Sequence, residues 1–247
     1  MEFALITGGT SGIGFELARC FARNNYGVII ISSNQERLNV AKNRLEMEFK
    51  VPILTYEQDL SKTGSAFELY EKTKEDNINI DVLINNAGYG LVGSTEKIDL
   101  REDENMMMLN VVNLVELCKL FLMDMYNKGN GKILNVASIG AFQPGPYTAT
   151  YCASKAFVLS YSRAIRYEAK KRGVQVCALC PGTTRTEFFT REGVKTPRNA
   201  MSATDVAQYA YKRLIANKEI SIPGMINKVT KIFPVKLKMA HIAKMKS

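Results

Sequence analysis

Short apolar runs alternate with longer helical patterns along most of this chain. The runs are β-rich and almost continuously apolar, as strands are when both faces of their sheet are covered. We predict strands at residues 3–7, 28–32, 52–57, 80–85, 132–137, 174–180 and 219–222. Apolar residues at helical spacing predict helices at residues 13–24, 35–49, 65–75, 101–126, 150–172 and 203–217. Repeated β–α units of this size indicate a single-domain α/β fold, a Rossmann-like, doubly wound parallel sheet with helices on both faces.

Composition fits one globular domain of ordinary polarity. The chain has 247 residues, of which 46% are hydrophobic and 23% are charged. It begins within a strand pattern, so we expect no targeting segment before the fold. No apolar run approaches the ~20 residues that span a bilayer, so we expect no membrane-spanning helix.

Cysteine and histidine usage argues against several kinds of site. The cysteines are an odd, scattered set: Cys20, Cys118, Cys152, Cys177 and Cys180. Such a set indicates reduced thiols and a cytoplasmic protein. Cys177 and Cys180 lie three apart in an apolar strand, so they point to opposite faces and do not suit a redox pair. The single histidine, His241, cannot build a histidine triad or a His-rich zinc site, and we expect no metal.

A glycine-rich turn joins the first predicted strand to the first predicted helix. Residues 7–14 read T-G-G-T-S-G-I-G. Glycines let the backbone turn sharply and approach a pyrophosphate, and the helix N-terminus offers N–H groups and a positive dipole end. The alternative is a tight turn with a purely structural role. Between a strand and an amphipathic helix, the turn favours a dinucleotide site.

A hydroxyl, a phenol and an ammonium follow the fifth predicted strand. Ser138 ends that strand, and Tyr151 and Lys155 lie four apart in the next helical pattern. Residues at this spacing share one helix face, so the ammonium can lower the pKa of the phenol, which is normally near ~10. Tyr151 could then exchange a proton with a substrate oxygen that Ser138 holds. The alternative is a strand-end serine and a solvent-exposed Tyr/Lys pair.

Together these motifs resemble the short-chain dehydrogenase/reductase family in its compact type. The matching residues follow the family's order and spacing from residue 4 to about residue 216. They are T-G-G-T-S-G-I-G at 7–14, Asp59-Leu60, Asn85-Asn86-Ala87-Gly88, Asn110, Ser138, Tyr151 with Lys155, and Pro181-Gly182-Thr183-Thr184-Arg185-Thr186. The resemblance implies hydride transfer between a nicotinamide and a carbonyl or alcohol substrate.

The resemblance implies a catalytic role for four residues. Asn110, Ser138, Tyr151 and Lys155 match the family's tetrad. Ser138 would position the substrate oxygen, Tyr151 would be the acid in reduction, and Lys155 would lower the pKa of Tyr151 and bind the ribose hydroxyls. Asn110 would hold a water that links Lys155 to the solvent.

The resemblance also implies the residues that contact the dinucleotide. The phosphates would lie at the glycine turn, the adenine at Asp59 and Leu60, and the ribose beside the N-N-A-G segment and the Tyr/Lys pair. The segment after the sixth strand would contact the nicotinamide. Apart from the end of the second strand, the expected cofactor-binding residues are Gly8, Thr10, Ser11, Gly12, Ile13, Gly14, Asp59, Leu60, Asn86, Ala87, Gly88, Tyr151, Lys155, Pro181, Gly182, Thr184 and Thr186.

The choice between NADP(H) and NAD(H) depends on the end of the second strand. An NAD enzyme usually places an acid there, which binds the ribose 2′-hydroxyl. This chain has Ser32, Ser33 and Asn34, which are uncharged and can donate to a phosphate, and Arg37 follows within reach. The basic residue that the family usually has next to this position is replaced by Ser33. We favour NADP(H) over NAD(H).

Three variable segments are expected to shape the substrate pocket: 89–96, 139–150 and 183–202. They contain Phe142, Pro144, Pro146, Tyr147, Phe188, Phe189 and Val194, mixed with Arg185, Arg191, Lys195 and Arg198. An apolar pocket behind a basic lid suits a lipophilic ketone or a 3-oxoacyl thioester. The alternative is a solvated loop whose charges contact no substrate. Pro197 and Ser202 are expected to mark boundaries before the next helix.

The C-terminal end is basic and amphipathic. Residues 218–247 hold seven lysines and only one acid, Glu219. We expect a dinucleotide-binding catalytic domain over 1–224 and an extension of the same domain over 225–247. In the extension Met225, Ile226, Val229, Ile232 and Phe233 form one apolar helix face, Pro234 breaks that helix, and Val235, Met239 and Ile242 suggest a second one. The extension could cover the substrate cleft, pack at a subunit interface, or lie on an anionic membrane surface.

We therefore predict an NADPH-dependent oxidoreductase acting on a small-molecule carbonyl or alcohol. The alternative is a catalytically idle dinucleotide-binding regulator or scaffold, which the presence of all four tetrad residues disfavours. The compact family usually ends soon after its last strand, so the extension would be a departure from it. We expect a homodimer or homotetramer. We expect no nucleic-acid partner, because the basic charge lacks interleaved aromatics.

Overall fold

A seven-stranded parallel sheet forms the centre of the protein. The structure, a computed structural model, describes residues 1–188, 197, 200–230 and 234–246. The sheet order is β3-β2-β1-β4-β5-β6-β9. Its strands are β1 (Phe3–Thr7), β2 (Gly27–Ser32), β3 (Ile53–Glu57), β4 (Ile80–Asn85), β5 (Gly131–Val136), β6 (Val174–Leu179) and β9 (Ile220–Ser221). The order reverses between β1 and β4, so the predicted doubly wound fold is confirmed. Two short parallel strands outside this sheet, β7 (Thr184–Arg185) and β8 (Met201–Ser202), pair with each other.

Helices connect the strands and cover both faces. They are α1 (Gly12–Arg23), α2 (Gln35–Glu48), α3 (Ser65–Glu75), α4 (Leu100–Met107), α5 (Asn113–Lys128), α6 (Ala149–Lys170), α7 (Ala203–Ile215), α8 (Met225–Thr230) and α9 (Val235–Lys246). The predicted strands and helices of residues 3–222 begin and end within two residues of those observed. The long helix predicted at 101–126 contains a five-residue π-helical turn, Met108–Val112, between α4 and α5. A 3₁₀ turn, Ile139–Phe142, precedes α6.

The sheet separates two apolar clusters. One lies between the sheet and α3, α5 and α6, and the other between the sheet and α1, α2 and α7. Cys180 belongs to the first cluster and Cys177 to the second, so the two thiols point to opposite faces as predicted. All five cysteines are buried.

The continuous helical stretch Leu100–Lys128 is long and apolar enough to cross a membrane by length and composition. The expectation of no membrane-spanning helix rested on uninterrupted apolar runs, and charged residues such as Glu116 and Lys119 interrupt this stretch. Half of the most apolar window of this stretch is buried inside the protein. Its α5 part packs against α3, β4 and β5, and a buried core helix passes the same test.

Candidate active site

A cavity of about 350 Å³ opens at the carboxyl ends of the strands, where the sheet order reverses. This is the place where open α/β sheets bind their ligands. All but three of the predicted site residues line the cavity: Gly8, Thr10, Ser11, Gly12, Ile13, Gly14, Ser32, Ser33, Asp59, Leu60, Asn86, Ala87, Gly88, Ser138, Tyr151, Lys155, Pro181, Gly182, Thr184 and Thr186. Asn34, Arg37 and Asn110 lie outside its lining.

The glycine turn brings backbone close to the cavity. Gly12 has a φ of +55°, a left-handed conformation that glycine adopts without strain. A side chain on Gly14 would place its Cβ 2.3 Å from the carbonyl oxygen of Gly8, so only glycine fits there. The side chain of Ser11, the N-cap of α1, makes no capping hydrogen bond to the helix. The turn and the helix N-terminus therefore fit a pyrophosphate.

Thr7 and Asn86 hold the ends of β1 and β4 together beneath this turn. The Thr7 hydroxyl accepts hydrogen bonds from the backbone N–H groups of Asn86 (3.0 Å) and Ala87 (2.9 Å). In return, Nδ2 of Asn86 donates to the carbonyl oxygens of Thr7 (2.9 Å) and Gly8 (3.1 Å). These bonds fix the floor of the cavity between the glycine turn and the N-N-A-G segment.

Asp59 and Leu60 lie at the predicted adenine end. Leu60 is buried, and Oδ1 of Asp59 accepts from the backbone N–H (3.0 Å) and hydroxyl (2.7 Å) of Ser61. Partial burial acts to raise the pKa of Asp59, but the Ser61 hydrogen bonds and the Lys62 charge lower it overall. Asp59 is therefore an anionic acceptor, which suits an amino group.

The end of β2 differs from the sequence expectation in detail. Ser32 and Ser33 line the cavity as predicted. Oδ1 of Asn34 instead accepts a 2.9 Å hydrogen bond from the backbone N–H of Arg37 and caps α2. The Arg37 guanidinium donates to Oε2 of Glu187 at 2.9 Å. Arg37 thus has a carboxylate partner 150 positions away in the sequence.

Lys155 is almost fully buried next to Tyr151. Its ammonium donates a 3.0 Å hydrogen bond to the carbonyl oxygen of Val136 at the end of β5 and lies 5.9 Å from the centroid of the Tyr151 ring. Burial lowers the pKa of Lys155 to about 8, and the nearby Cys180 opposes this shift in part. Tyr151 and Lys155 therefore share one helix face at the cavity, as their spacing predicted, and are not a solvent-exposed pair.

Ser138 lies across the same cavity from α6. Its side-chain oxygen accepts a 3.0 Å hydrogen bond from the backbone N–H of Gly140 and caps the 3₁₀ turn Ile139–Phe142. The hydroxyl proton can still be donated toward the cavity. Phe188 packs on Tyr151 from another side, with ring centroids 5.7 Å apart. A substrate oxygen would therefore approach the phenol between a hydroxyl and an apolar wall.

Asn110 lies behind the cavity and is fully buried in the π-helical turn. Nδ2 of Asn110 donates to the carbonyl oxygen of Tyr89 (3.0 Å) and the hydroxyl of Ser154 (3.2 Å), and Oδ1 accepts from the N–H of Tyr89 (3.3 Å). A Cβ on Gly88 would lie 2.6 Å from Oδ1 of Asn110 and 3.3 Å from Nζ of Lys155. Asn110 thus anchors the segment after β4, and its water-holding role stays a prediction.

Five cavity residues belong to none of the motifs or pocket segments named from the sequence: Ile31, Gln58, Leu109, Val136 and Ala137. Ile139, Thr183 and Glu187 also line the cavity and lie in the segments expected to shape the substrate pocket. Glu187 is different, because it is a charged neighbour of the matching segment 181–186, and its charge could have been noted.

The C-terminal extension contacts a cavity residue, Gly182, and the 3₁₀ turn Ile139–Phe142 that begins at the cavity. Asn227 of α8 lies so close to Gly182 that a Cβ there would be 2.4 Å from Nδ2 of Asn227. Lys238 of α9 is 9% exposed and donates a 3.1 Å hydrogen bond to the carbonyl oxygen of Phe142. The predicted break at Pro234 separates the two helices, whereas Met225, Ile226 and Val229 are exposed. The predicted face residues Ile232 and Phe233 lie outside the described residues.

The predicted lid is described only in part. Ser202 accepts from the backbone N–H of Asp205 at 3.0 Å and caps α7, so the predicted boundary is confirmed. Phe188 lines the cavity. Arg185 donates a 3.4 Å hydrogen bond to the carbonyl oxygen of Ala200, whereas Phe189, Arg191, Val194, Lys195 and Arg198 lie outside the described residues.

Comparison with known proteins agrees with this geometry. The family model described as short chain dehydrogenase matches residues 2–196. The chain is 28% identical to the very-long-chain 3-oxoacyl-CoA reductase of Bos taurus, over 99% of this chain and 83% of that protein.

Two similar solved structures include the extension in their match. A short-chain dehydrogenase from Sphingobium yanoikuyae in complex with NADPH has 28% identity and a TM-score of 0.87, over 99% of this chain and 95% of that one. A bulky-bulky ketone specific alcohol dehydrogenase from Comamonas testosteroni has 28% identity and a TM-score of 0.83, over 99% and 94%. These two proteins therefore share the extension, whereas the matches to other similar structures cover 90% of this chain and 94–96% of theirs. The chain belongs to the short-chain dehydrogenase family and is an NAD(P)-dependent oxidoreductase acting on alcohol and carbonyl groups.

Proposed function

We propose that the protein reduces a lipophilic ketone or 3-oxoacyl thioester with NADPH. The observation that carries this proposal is the position of Lys155, which is buried beside the Tyr151 ring at the cavity that Ser138 also lines. A cation in a site of low dielectric constant favours the phenolate and so makes the phenol a better acid near neutral pH.

The roles of the protein groups follow from their positions. Ser138 donates its hydroxyl proton to the substrate carbonyl oxygen and orients the carbonyl carbon. Tyr151 gives its phenolic proton to the same oxygen as negative charge develops there. Lys155 stabilises the resulting phenolate, and the Val136 carbonyl holds the ammonium in place. The nicotinamide, when bound, supplies the hydride, and Pro181, Gly182 and Thr186 would orient it.

Apolar residues near Tyr151 support a lipophilic substrate. Ile139 and Phe188 line the cavity, and Phe142 ends the 3₁₀ turn that begins at Ile139. Ketone and 3-oxoacyl reductases among the similar proteins support the same class. We propose that α8 and α9 complete the substrate side of the cavity, since Asn227 lies against Gly182 and Lys238 binds the carbonyl oxygen of Phe142.

The preference for NADPH is supported by the uncharged end of β2. Ser32 and Ser33 line the cavity, and neither brings the acid that would repel a 2′-phosphate. A similar structure that is a complex with NADPH points the same way.

The test is an NADPH-oxidation screen with paired carbonyl compounds. Each pair keeps the carbonyl group and differs in its substituents, small alkyl against bulky aryl or long alkyl, and 3-oxoacyl thioesters of two chain lengths extend the set. We expect higher kcat/KM for the bulkier member of each pair. Equal or lower values for the bulky members would contradict the lipophilic assignment. Cofactor binding without turnover of any carbonyl would favour an idle dinucleotide-binding protein.

A further inference from the structure

An ion pair joins two distant segments beside the cofactor cavity. Nη1 of Arg37, in the first turn of α2, lies 2.9 Å from Oε2 of Glu187, which follows β7. The two residues are 150 positions apart in the chain. Glu187 lines the cavity, and so do Ser32 and Ser33, the residues that precede α2. The carboxylate therefore reaches the end of the cavity where α2 begins.

This end of the cavity is where NADPH and NADH differ under the proposed function. NADPH carries a 2′-phosphate on its adenosine ribose, and NADH carries a hydroxyl there. Arg37 is the only basic residue in the segment 32–37. Its planar guanidinium can bind either a carboxylate or a phosphate in the paired, charge-assisted geometry. A 2′-phosphate that recruits Arg37 must therefore compete with Glu187, and the 2′-hydroxyl of NADH need not.

We infer that Glu187 is a cofactor-selectivity residue, which weakens NADPH binding relative to NADH by holding Arg37. The inference rests on the proposed function, because it assumes that a nicotinamide dinucleotide occupies this cavity. Glu187 thus disfavours NADPH, whereas Ser32 and Ser33 are uncharged and can donate hydrogen bonds to its 2′-phosphate. NADPH preference then reflects the balance between these groups. Neutralising Glu187 shifts that balance further toward NADPH.

The test measures binding and not turnover. Glu187 precedes Phe188, whose ring packs on Tyr151, so a change at Glu187 can alter catalysis for unrelated reasons. Dissociation constants of NADPH and NADH are measured for wild type, Glu187→Gln and Glu46→Gln. Glu46 is the matched control, because it forms an exposed ion pair with Lys42 on the same helix and lies more than two turns away.

We expect Glu187→Gln to tighten NADPH binding about threefold to fivefold, as an exposed charge pair permits, and to change NADH binding by less than about twofold. Glu46→Gln should leave the ratio of the two constants at its wild-type value. Equal tightening of both cofactors, no change, or weaker NADPH binding in Glu187→Gln would overturn the inference.

A second variant tests whether Arg37 transmits the effect. Arg37→Met should weaken NADPH binding more in the Glu187→Gln background than in wild type, because only there is Arg37 released from its carboxylate partner. An equal loss of NADPH affinity in both backgrounds would overturn the inference that the 2′-phosphate and Glu187 compete for Arg37. If wild type binds neither dinucleotide, the proposed function fails together with the inference. If wild type binds them and Glu187→Gln changes nothing, the inference alone fails.

Discussion

Nζ of Lys155 donates a 3.0 Å hydrogen bond to the carbonyl oxygen of Val136. This bond ties α6 to the end of β5, two residues before Ser138. It places a buried cation beside Tyr151 without a carboxylate partner among the hydrogen bonds and ion pairs of the described residues. The charge is therefore directed to the cavity. Burying it there costs desolvation free energy, which destabilises the folded protein.

The desolvation cost of the Lys155 ammonium predicts a pH dependence of stability. Burial lowers the pKa of Lys155 from 10.5 to about 8, so between these pH values the unfolded chain binds more protons than the folded one. The free energy of unfolding should consequently rise with pH in that window and should be lowest, for this group, below pH 8. Replacement by an apolar side chain should remove the effect.

Chemical denaturation of cofactor-free protein can measure it. Lys155→Met should be more stable than wild type below pH 8, by roughly 3 kcal/mol at most, and the difference should vanish near pH 10.5. Lys119→Met, which removes an exposed lysine from α5, should show no such trend. A difference between Lys155→Met and wild type that does not depend on pH would contradict this account.

The glycine turn should tolerate no side chain at Gly14. A Cβ there would lie 2.3 Å from the Gly8 carbonyl oxygen and 2.4 Å from Nδ2 of Asn86, so the turn must shift. We expect Gly14→Ala to weaken NADPH binding by at least about tenfold and to destabilise the fold by about 1–3 kcal/mol. Gly93→Ala is the control, because among the described residues its Cβ would contact only the side chain of Ile98, at 3.3 Å. Equal NADPH affinities in the two variants would argue against phosphate binding at this turn.

Ser138 should act on the reacting oxygen and not on the cofactor. Ser138→Ala removes a hydrogen-bond donor to the substrate oxygen, so kcat should fall about 10²–10³-fold, as for other such donors. The NADPH dissociation constant should stay within about twofold, and Ser138→Thr should recover part of the rate. Steady-state kinetics and cofactor titration provide both readouts. A Ser138→Ala variant that lost NADPH affinity and kept its kcat would show that Ser138 acts on the cofactor and not on the substrate oxygen.

Lys238 should couple the extension to substrate binding. Lys238→Met removes the hydrogen bond to the Phe142 carbonyl, so α9 should hold the 3₁₀ turn Ile139–Phe142 less firmly. We expect the ketone KM to rise about threefold to tenfold while the NADPH dissociation constant is unchanged. Lys244→Met, an exposed lysine on the same helix, should behave like wild type. Similar KM values for the two variants would place the extension outside the substrate site.

Local sequence patterns predicted the strands, the glycine turn and the shared face of Tyr151 and Lys155. Each of these depends on residues that are neighbours in sequence, so period and spacing are enough to find them. The π-helical turn around Asn110 was missed because its apolar pattern is that of an ordinary helix. Asn34 was predicted to bind the cofactor, and an asparagine before a helix serves equally well as its cap.

Contacts between distant segments could not be predicted. The Arg37–Glu187 ion pair joins residues 150 positions apart, and the Lys238–Phe142 hydrogen bond spans 96 positions. Neither residue pair has a spacing that any helix or strand would bring together. Only the folded sheet places the end of β2 near the segment after β7, and α9 near the 3₁₀ turn.

We propose Tyr151 as the proton donor for a reduction that uses NADPH. Tyr151→Phe keeps the ring that packs on Phe188 and removes only the phenolic hydroxyl. With the best carbonyl substrate, we predict that kcat falls about 10²–10⁴-fold, as expected for loss of a general acid, while the NADPH dissociation constant stays within about twofold of wild type. A kcat near the wild-type value in Tyr151→Phe would contradict the account.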